Sequence, residues 1–173
     1  PRRCATTCSP GVGNQVPWGG AAARAFARDS LIFELREVAE QDLEEELERA
    51  NRDPEVHGIM IYYPVFGARL SFHGSSHDDY LRDTVSLEKD VEGLCHFYRR
   101  CLYRNCRFVD AGATQKCVLP CTPLAVIKVL EHLGVYDPSL PVGDRMRGKT
   151  LAIANRSDVV GQPLNVYLEF VLE

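Results

Sequence analysis

Two apolar segments on either side of an acidic amphipathic one limit what this chain can fold into. Leu31–Val38 partly alternates between apolar and polar side chains, and Glu55–Tyr63 is a second apolar run; both patterns predict strands. Gln41–Asn51, between them, has leucines on one face and acidic residues elsewhere, which predicts a helix with a solvated side. The strand–helix–strand order predicts an α/β fold with a mostly parallel sheet.

Further along, the sequence predicts another helix and another strand. Thr122 is expected to cap a helix that has Pro123 at its first position and Gly134 just past its end. Leu151–Ala154 predicts an apolar strand, which a polar turn connects to the first turn of a helix around Pro163.

Composition counts against several classes of function. The chain has 173 residues, 45% hydrophobic and 25% charged, as in ordinary globular proteins. The net charge of −4 argues against a nucleic-acid partner, and no apolar run approaches the ~20 residues of a membrane helix. The seven cysteines include no CxxC pair, so we expect free thiols in a cytoplasmic chain and no structural zinc site. His73 and His77, with Asp78 and Asp79, lie in a Gly- and Ser-containing stretch where we also expect no metal.

The turn after Leu151–Ala154 carries groups that suit a phosphate. Ser157 and the amides at the start of the following helix can donate hydrogen bonds to the anion, and Arg156 adds charge on a planar guanidinium. Gly161 permits close approach of the helix to the strand or to a ligand. Because one glycine stands where a dinucleotide fingerprint has three, a plain strand–helix connection is the alternative.

Two other motifs put polar groups beside apolar ones. Prolines bracket Cys121 and Thr122, which forms a rigid entry into a helix and can place the Thr122 hydroxyl in a cleft. The alternative is a capped helix with a buried thiol. No base is identifiable that would make Cys121 a nucleophile.

Asp90 precedes an apolar and aromatic run, and a carboxylate aimed inward there needs hydrogen-bond donors. A pterin ring supplies an N–H and an amino group side by side; a surface charge run that caps a helix is the alternative.

The order and spacing of four motifs resemble the methylenetetrahydrofolate dehydrogenase family. The matching stretches are Asp53–Ile59, Lys89–Gly93, Pro120–Pro123 and the run Arg147–Pro163. The resemblance is closer to the NAD-dependent branch that has dehydrogenase activity alone. Tyr62-Tyr63-Pro64 stands where bifunctional members have Gln-Leu-Pro, and the Gln belongs to the cyclohydrolase chemistry; Asn155 stands where they have Gly.

The resemblance implies a reaction and the residues that carry it. The reaction is hydride transfer from the methylene bridge of 5,10-methylenetetrahydrofolate to NAD, which gives the methenyl form, in an enzyme that is a homodimer when complete. Asp90 and Tyr62 are implied as catalytic residues, and both bind the folate together with Pro120. The residues implied to bind NAD are Thr122, Asn155, Arg156, Ser157 and Val160. No metal is implied.

The resemblance also divides the chain. It implies a folate-binding domain over 31–140 and, over 141–173, the first strand–turn–helix of a Rossmann-type NAD(P)-binding domain, so we expect a partial chain. Residues 1–30 contain no Tyr and no Lys and are expected to be irregular and outside the resemblance, although the Ala-rich stretch 20–28 is compatible with a short helix. The apolar residues of the last helix are expected to be exposed; they include Leu164 and Val166.

Two other functions stay open on the sequence alone. One is a truncated chain without catalysis that acts at most as a partial binding or interaction module; NAD-dependent formation of the methenyl product separates it from the enzyme. The other is an α/β protein that binds a different nucleotide. Folate analogues should protect a folate enzyme from unfolding, whereas the other nucleotide should protect a protein of this second kind.

Overall fold

The computed structural model describes residues 3–8, 23–67 and 76–169. The chain divides into two compact units, Pro1–Val91 and Glu92–Glu173, which we describe in turn. The combination of helices with a parallel sheet confirms the predicted α/β fold. The domain boundary at 140/141 that the resemblance implies differs from this division and stays a prediction.

The first unit is built on a three-stranded parallel sheet. Its strands are β1 (Arg3–Cys8), β2 (Ile32–Glu37) and β3 (Val56–Ile61), and β1 lies between the other two. β2 and β3 confirm the two predicted strands. The prediction that residues 1–30 are irregular is wrong for β1. Its six residues lack an alternating apolar pattern, and backbone pairing with a strand on each side holds them in the sheet.

Two short segments of the first unit are helical. Residues 23–28 are helical, as their Ala-rich composition allows, and form α1. α3 spans His77–Thr84. The start of α3 has a local cause, since the Ser76 hydroxyl oxygen caps the helix by accepting from the amide of Asp79 at 3.0 Å.

The acidic helix α2 (Leu43–Arg52) confirms the prediction for Gln41–Asn51 and covers the core of this unit. It follows a short 3-10 turn at Glu40–Asp42. Glu44, Glu45 and Glu48 are exposed, and the leucines pack against β3 and α3. The buried apolar cluster comprises Leu43, Leu47, Ala50, Val56, Ile59, Ile61, Val65, Leu81 and Val85.

The second unit is helical. It contains α4 (His96–Tyr103), α5 (Cys121–His132) and α6 (Gly161–Glu169). Between α4 and α5, a bridge between Phe108 and Lys116 closes a polar turn around Gly112. The buried apolar cluster comprises Leu102, Ile127, Tyr136, Leu164, Val166 and Tyr167. The expectation that Leu164 and Val166 are exposed is therefore wrong, because α6 packs them into this cluster.

Two local predictions for the second unit are also wrong. α5 begins at Cys121 with Pro120 at the cap position, so Thr122 lies inside the first turn and does not cap the helix. Leu151–Ala154 is not a strand, because no other strand in the described ranges pairs with its backbone. Among the residues that the structure describes, no helix is both long and apolar enough to cross a membrane.

Candidate functional site

Asp90 is a buried carboxylate beside β3. It is only 6% exposed, and it forms an isolated parallel bridge with Ile59 at the edge of the sheet. The amide of Ile59 donates to the carbonyl of Lys89 at 2.7 Å. This backbone bond makes the residue before Asp90 an extension of the sheet, so the position of the carboxylate is fixed relative to β3.

The side chain of Lys89 connects the same segment to the C-terminal end of α2. Its ammonium group donates to the carbonyl oxygens of Ala50 at 2.9 Å, Asn51 at 2.7 Å and Asp53 at 2.7 Å. These carbonyls lie at the C-terminal end of α2, where helical carbonyls lack partners in the helix and where a cation is favoured by the helix dipole. Lys89 thus joins the end of α2 to the segment that carries Asp90.

A third contact fixes the turn that precedes Asp90. The Asn51 side chain donates to the carbonyl of Thr84 at 2.7 Å and accepts from the amide of Ser86 at 2.9 Å. The carbonyl of Ser86 in turn accepts from the amides of Lys89 at 2.9 Å and Asp90 at 3.0 Å. Sequence reasoning missed both Asn51 and Lys89. The position of Lys89 directly before Asp90 in the motif was the one available signal.

Tyr62 is half-buried and follows the last residue of β3. The segment after it is anchored by Asp78, a carboxylate that is 4% exposed and accepts from the amides of Phe66 at 2.9 Å and Val65 at 3.3 Å. The guanidinium of Arg82 lies 4.6 Å from the centre of the Tyr63 ring. Asp78 and Arg82 therefore hold the segment that carries Tyr62.

Asp78 and Asp79, the acidic residues next to His77, form hydrogen bonds within the protein. Asp78 binds backbone amides, and the Asp79 carboxylate accepts from Arg82 at 2.5 Å and from the Ser76 hydroxyl at 2.8 Å. Within the described ranges, no group of three or more His, Cys, Asp or Glu side chains is placed to hold a metal ion. His73 lies outside the described residues.

In the second unit, Pro120 is buried while Cys121 and Thr122 are exposed on the first turn of α5. The approach to this turn is crowded at Gly93, where a Cβ would lie 2.6 Å from the carbonyl oxygen of Val118. Gly93 also has a φ of +66°, so only glycine fits there without strain. The motif that begins at Lys89 thus ends on a backbone contact with the segment that leads into Pro120.

A buried hydroxyl lies close to the same turn. Burial raises the pKa of Tyr167, the guanidinium of Arg107 opposes this effect, and the Cys121 thiol adds to it. The tyrosine therefore stays a neutral hydroxyl at physiological pH.

The turn from Asn155 to α6 is closed by its own side chains. Asn155 Oδ1 accepts from the amides of Ser157 at 2.9 Å and Gly161 at 3.1 Å. The Ser157 hydroxyl oxygen accepts from the amide of Val160 at 3.1 Å, and its carbonyl accepts from the amide of Gln162 at 3.1 Å. Because these four amides already have acceptors, they are not available to an anion, whereas the Ser157 hydroxyl hydrogen and the guanidinium of Arg156 are.

Gly161 is what allows this turn to close. A Cβ at this position would lie 2.0 Å from the carbonyl oxygen of Asn155. Asn155 and Arg156 also line a cavity of about 360 Å³, shared with Tyr103, Ile153 and residues of α6. The structure thus brings together Asn155, Arg156, Ser157 and Val160, whereas Thr122 lies at the start of α5.

Known proteins are similar to this chain. The family model for the tetrahydrofolate dehydrogenase/cyclohydrolase catalytic domain matches residues 18–92, which include Tyr62 and Asp90. The expectation that residues 1–30 lie outside the family is therefore wrong for 18–30. The chain is 51% identical over 136 residues to methylenetetrahydrofolate dehydrogenase (NAD(+)) of Schizosaccharomyces pombe, covering 79% of this chain and 40% of that protein. It is 48% identical over 145 residues to the enzyme of the same name from Dictyostelium discoideum, covering 83% and 44%. The chain thus spans less than half the length of these relatives.

Solved structures show the same architecture. The NAD-dependent 5,10-methylenetetrahydrofolate dehydrogenase of Saccharomyces cerevisiae matches with a TM-score of 0.84 at 37% identity, over 94% of this chain and 50% of that one. A bifunctional dehydrogenase/cyclohydrolase from Thermoplasma acidophilum matches with a TM-score of 0.72 at 21% identity, over 96% and 52%, and shares the fold. Residues 18–92 thus match the tetrahydrofolate dehydrogenase/cyclohydrolase catalytic domain, and the chain is similar in sequence and fold to NAD-dependent methylenetetrahydrofolate dehydrogenases.

Proposed function

We propose that this protein takes part in the NAD-dependent oxidation of 5,10-methylenetetrahydrofolate to the 5,10-methenyl form, without cyclohydrolase activity. The observation that carries the proposal is the buried Asp90 carboxylate, held at the edge of the sheet by Lys89 and Ile59 within the motif Lys-Asp-Val-Glu-Gly. The names of the relatives at 51% and 48% identity support it.

Asp90 is proposed to bind the pterin of the folate. The Asp90 carboxylate is only 6% exposed, and burial strengthens a hydrogen bond that such a carboxylate accepts. The pterin ring offers an N–H and an amino group side by side, and two such bonds to an ionised acceptor are strong and directional. Tyr62, which is half-buried, supplies flat apolar surface to the substrate in this proposal. Pro120 is buried, so we propose that it contributes by fixing the backbone that leads into α5.

The proposed reaction depends on the orientation of the substrate more than on acid–base catalysis. A hydride leaves the methylene carbon with both electrons of its C–H bond, and the lone pair of a flanking folate nitrogen stabilises the resulting cation, so no side chain has to move a proton. NAD supplies the hydride acceptor when it is bound. The residues of this chain contribute by orienting the substrate, which accounts for most of the rate in such a step.

The NAD-side residues fit a phosphate-bearing cofactor through side chains. Arg156 is exposed and has a planar fork of donors, and the Ser157 hydroxyl hydrogen is available as a second donor. Asn155 and Val160 shape the turn, and the Thr122 hydroxyl is proposed to lie near the nicotinamide. In the whole protein we propose a homodimer in the cytoplasm.

Absence of cyclohydrolase activity is proposed from Tyr62. It stands where bifunctional members of the family have the Gln of their hydrolytic chemistry. A phenol places one hydroxyl on a bulky ring, whereas an amide offers a carbonyl oxygen and a separate NH2 group on a shorter side chain.

Replacing Asp90 tests the proposal. In the purified chain, methenyl product should accumulate when methylenetetrahydrofolate and NAD are both present, as followed by its absorbance. Asp90→Asn should lower kcat/KM by about a hundredfold, since a charged acceptor for two donors is lost. Glu88→Gln removes an exposed carboxylate two positions away and is the matched control; it should leave kcat/KM unchanged.

Binding of a folate analogue, followed by quenching of tyrosine fluorescence, separates the possible outcomes. Equal affinity in the wild type and Asp90→Asn would show that Asp90 does not bind the pterin. Tight binding of the analogue without any NAD-dependent product would reject catalysis by this chain and favour a binding module.

A further inference from the structure

Three cysteines of the second unit lie in and just after α4, and all three are free thiols. Cys101 is half-buried in the last turn of α4, and Cys106 is exposed. Cys117 is only 6% exposed and begins the segment that leads into α5. The oxidation proposed above gives no role to these thiols, so their chemistry is a separate property of the chain.

Backbone hydrogen bonds bring the three residues together. The amide of Cys106 donates to the carbonyl of Cys101 at 2.8 Å, just after the end of α4. The amide of Cys117 donates to the carbonyl of Arg107 at 2.8 Å, beside the bridge that closes the turn around Gly112. The main chain therefore holds the end of α4 next to the segment that leads into α5, independently of the thiols.

Two of the three thiols form a pair. The Cys101 and Cys117 side chains interact directly with each other, whereas Cys106 acts on Cys117 only through its electrostatic field. The Cys106 thiol donates instead to the carbonyl of Arg104, with 3.7 Å between sulfur and oxygen. A disulfide forms without backbone movement only where two cysteine side chains already point at each other. Cys101 and Cys117 meet this condition.

The surroundings of the pair determine which thiol reacts first. Burial raises the pKa of Cys117 to about 11, the neighbouring thiols add to this effect, and the guanidinium of Arg107 opposes it. Cys117 is therefore protonated at physiological pH, and a protonated thiol is a poor nucleophile. Cys101 is more accessible, so an external reagent meets it first.

Arg107 favours the second thiol once the reaction has begun. Its Nε and Nη1 atoms are buried and have no hydrogen-bond acceptor among the residues that the structure describes. A positive group beside Cys117 stabilises the thiolate that forms when this residue loses its proton. The pair thus consists of an accessible thiol and a buried one that can resolve the first product.

We propose that Cys101 and Cys117 are a reversible oxidation site, at which a small-molecule disulfide converts the two thiols into one disulfide bond. In the first step, Cys101 Sγ attacks one sulfur of the small disulfide, and the first small thiol leaves with the proton of Cys101. In the second step, Cys117 Sγ attacks Cys101 Sγ, and the second small thiol leaves with the proton of Cys117. The two cysteines lose two electrons, and the small disulfide gains them.

The new bond links the last turn of α4 to the segment that leads into α5. It closes a loop that contains the turn around Gly112, and a closed loop restricts the unfolded chain. The oxidised second unit should therefore unfold at a higher urea concentration than the reduced one. Amide exchange at the end of α4 should also become slower.

Tryptic digestion identifies the linked pair. Trypsin cuts between the three cysteines and leaves each in its own peptide: 101–104, 105–107 and 117–128. The last peptide also contains Cys121, so the experiment uses the purified chain with Cys121→Ser. The reduced chain is incubated with oxidised glutathione, the remaining thiols are alkylated, and the digest is analysed by mass spectrometry without reductant. Peptide 101–104 should appear linked to 117–128, and dithiothreitol should release both.

Variants of the three thiols provide the controls. Cys106→Ser, in the same Cys121→Ser chain, should leave the yield of the linked peptide unchanged. Cys101→Ser and Cys117→Ala should each lower the yield of chains with an internal disulfide by about tenfold or more, because no other pair is in contact. Urea unfolding of each reduced variant checks that it is folded. The linked peptide of the Cys121→Ser chain can be identified even if one of these variants is not.

Several results would overturn the proposal. One is a dominant link to peptide 105–107, and another is glutathione attached to Cys101 with no internal bond. A link between two copies of the chain, seen by electrophoresis without reductant, is a third. An oxidised chain that unfolds at a lower urea concentration than the reduced one would show that the bond needs a non-native arrangement. The experiment contains neither NAD nor folate, so its result does not depend on the proposed dehydrogenase function.

Discussion

The segment that carries Asp90 and the turn that begins α6 both hold a polar group at the end of an element, but over different sequence distances. Asn51 reaches Ser86 across 35 residues, and Lys89 reaches Ala50 across 39. In the turn, Asn155 reaches Ser157 across two residues and Gly161 across six. The first arrangement exists only when α2, β3 and the segment before Asp90 have assembled, whereas the second can form locally.

Replacing Lys89 tests the long-range arrangement and has the largest expected effect. Lys89→Met keeps the aliphatic stem and removes the donor, which leaves three carbonyls without a partner. We expect a loss of about 3 kcal/mol in the free energy of unfolding of the first unit, measured by urea titration. Arg28→Met removes an exposed cation from the same unit and should cost less than about 0.5 kcal/mol. A loss for Lys89→Met as small as that of the control would contradict the role given to this side chain.

Adding a methyl group to Gly161 tests how tightly the local turn is closed. The new Cβ meets a backbone oxygen at 2.0 Å, which a side-chain rotation cannot relieve. We expect Gly161→Ala to destabilise the second unit by about 2 kcal/mol, with faster amide exchange at the start of α6. Asn165→Ala, at an exposed position of the same helix, is the control and should be neutral. Unchanged exchange in Gly161→Ala would mean that the turn is looser than its geometry indicates.

Removing the Asn155 side chain has the smallest expected effect. Asn155→Ala deletes one cap acceptor and should cost about 1 kcal/mol. Asn155→Asp keeps an oxygen in the same place and should retain the stability of the wild type. Amide exchange should rise in α6 and stay unchanged around Asp90. The comparison of the two regions fails if Asn155→Ala costs more than Lys89→Met, or if the aspartate variant is as unstable as the alanine one.

The same difference in sequence distance decides what could be predicted. α2 and β3 were predictable because apolar periodicity is a local property, and the closure of the α6 turn involves residues that the motif already contained. The contacts of Lys89 and Asn51 could not be predicted, because their partners depend on how α2 packs.

The errors have physical causes of the same kind. β1 has no apolar alternation and depends on its neighbours for pairing. Leu151–Ala154 has the composition of a strand, but a strand also needs a neighbouring strand to pair with its backbone, which composition does not reveal. Thr122 suits a helix cap, but α5 has its cap at Pro120, two positions before the threonine.

The central place of β1 has a consequence for the order in which the first unit is made. β2 and β3 pair with β1 and not with each other, so neither can complete the sheet alone. Residues 3–8 are synthesised before either partner, and both partners are available only after Ile61 has followed. Until then β1 has unpaired edges, and at ~5–20 residues per second that interval lasts several seconds. During this time β1 is exposed to chaperones and to pairing with other chains.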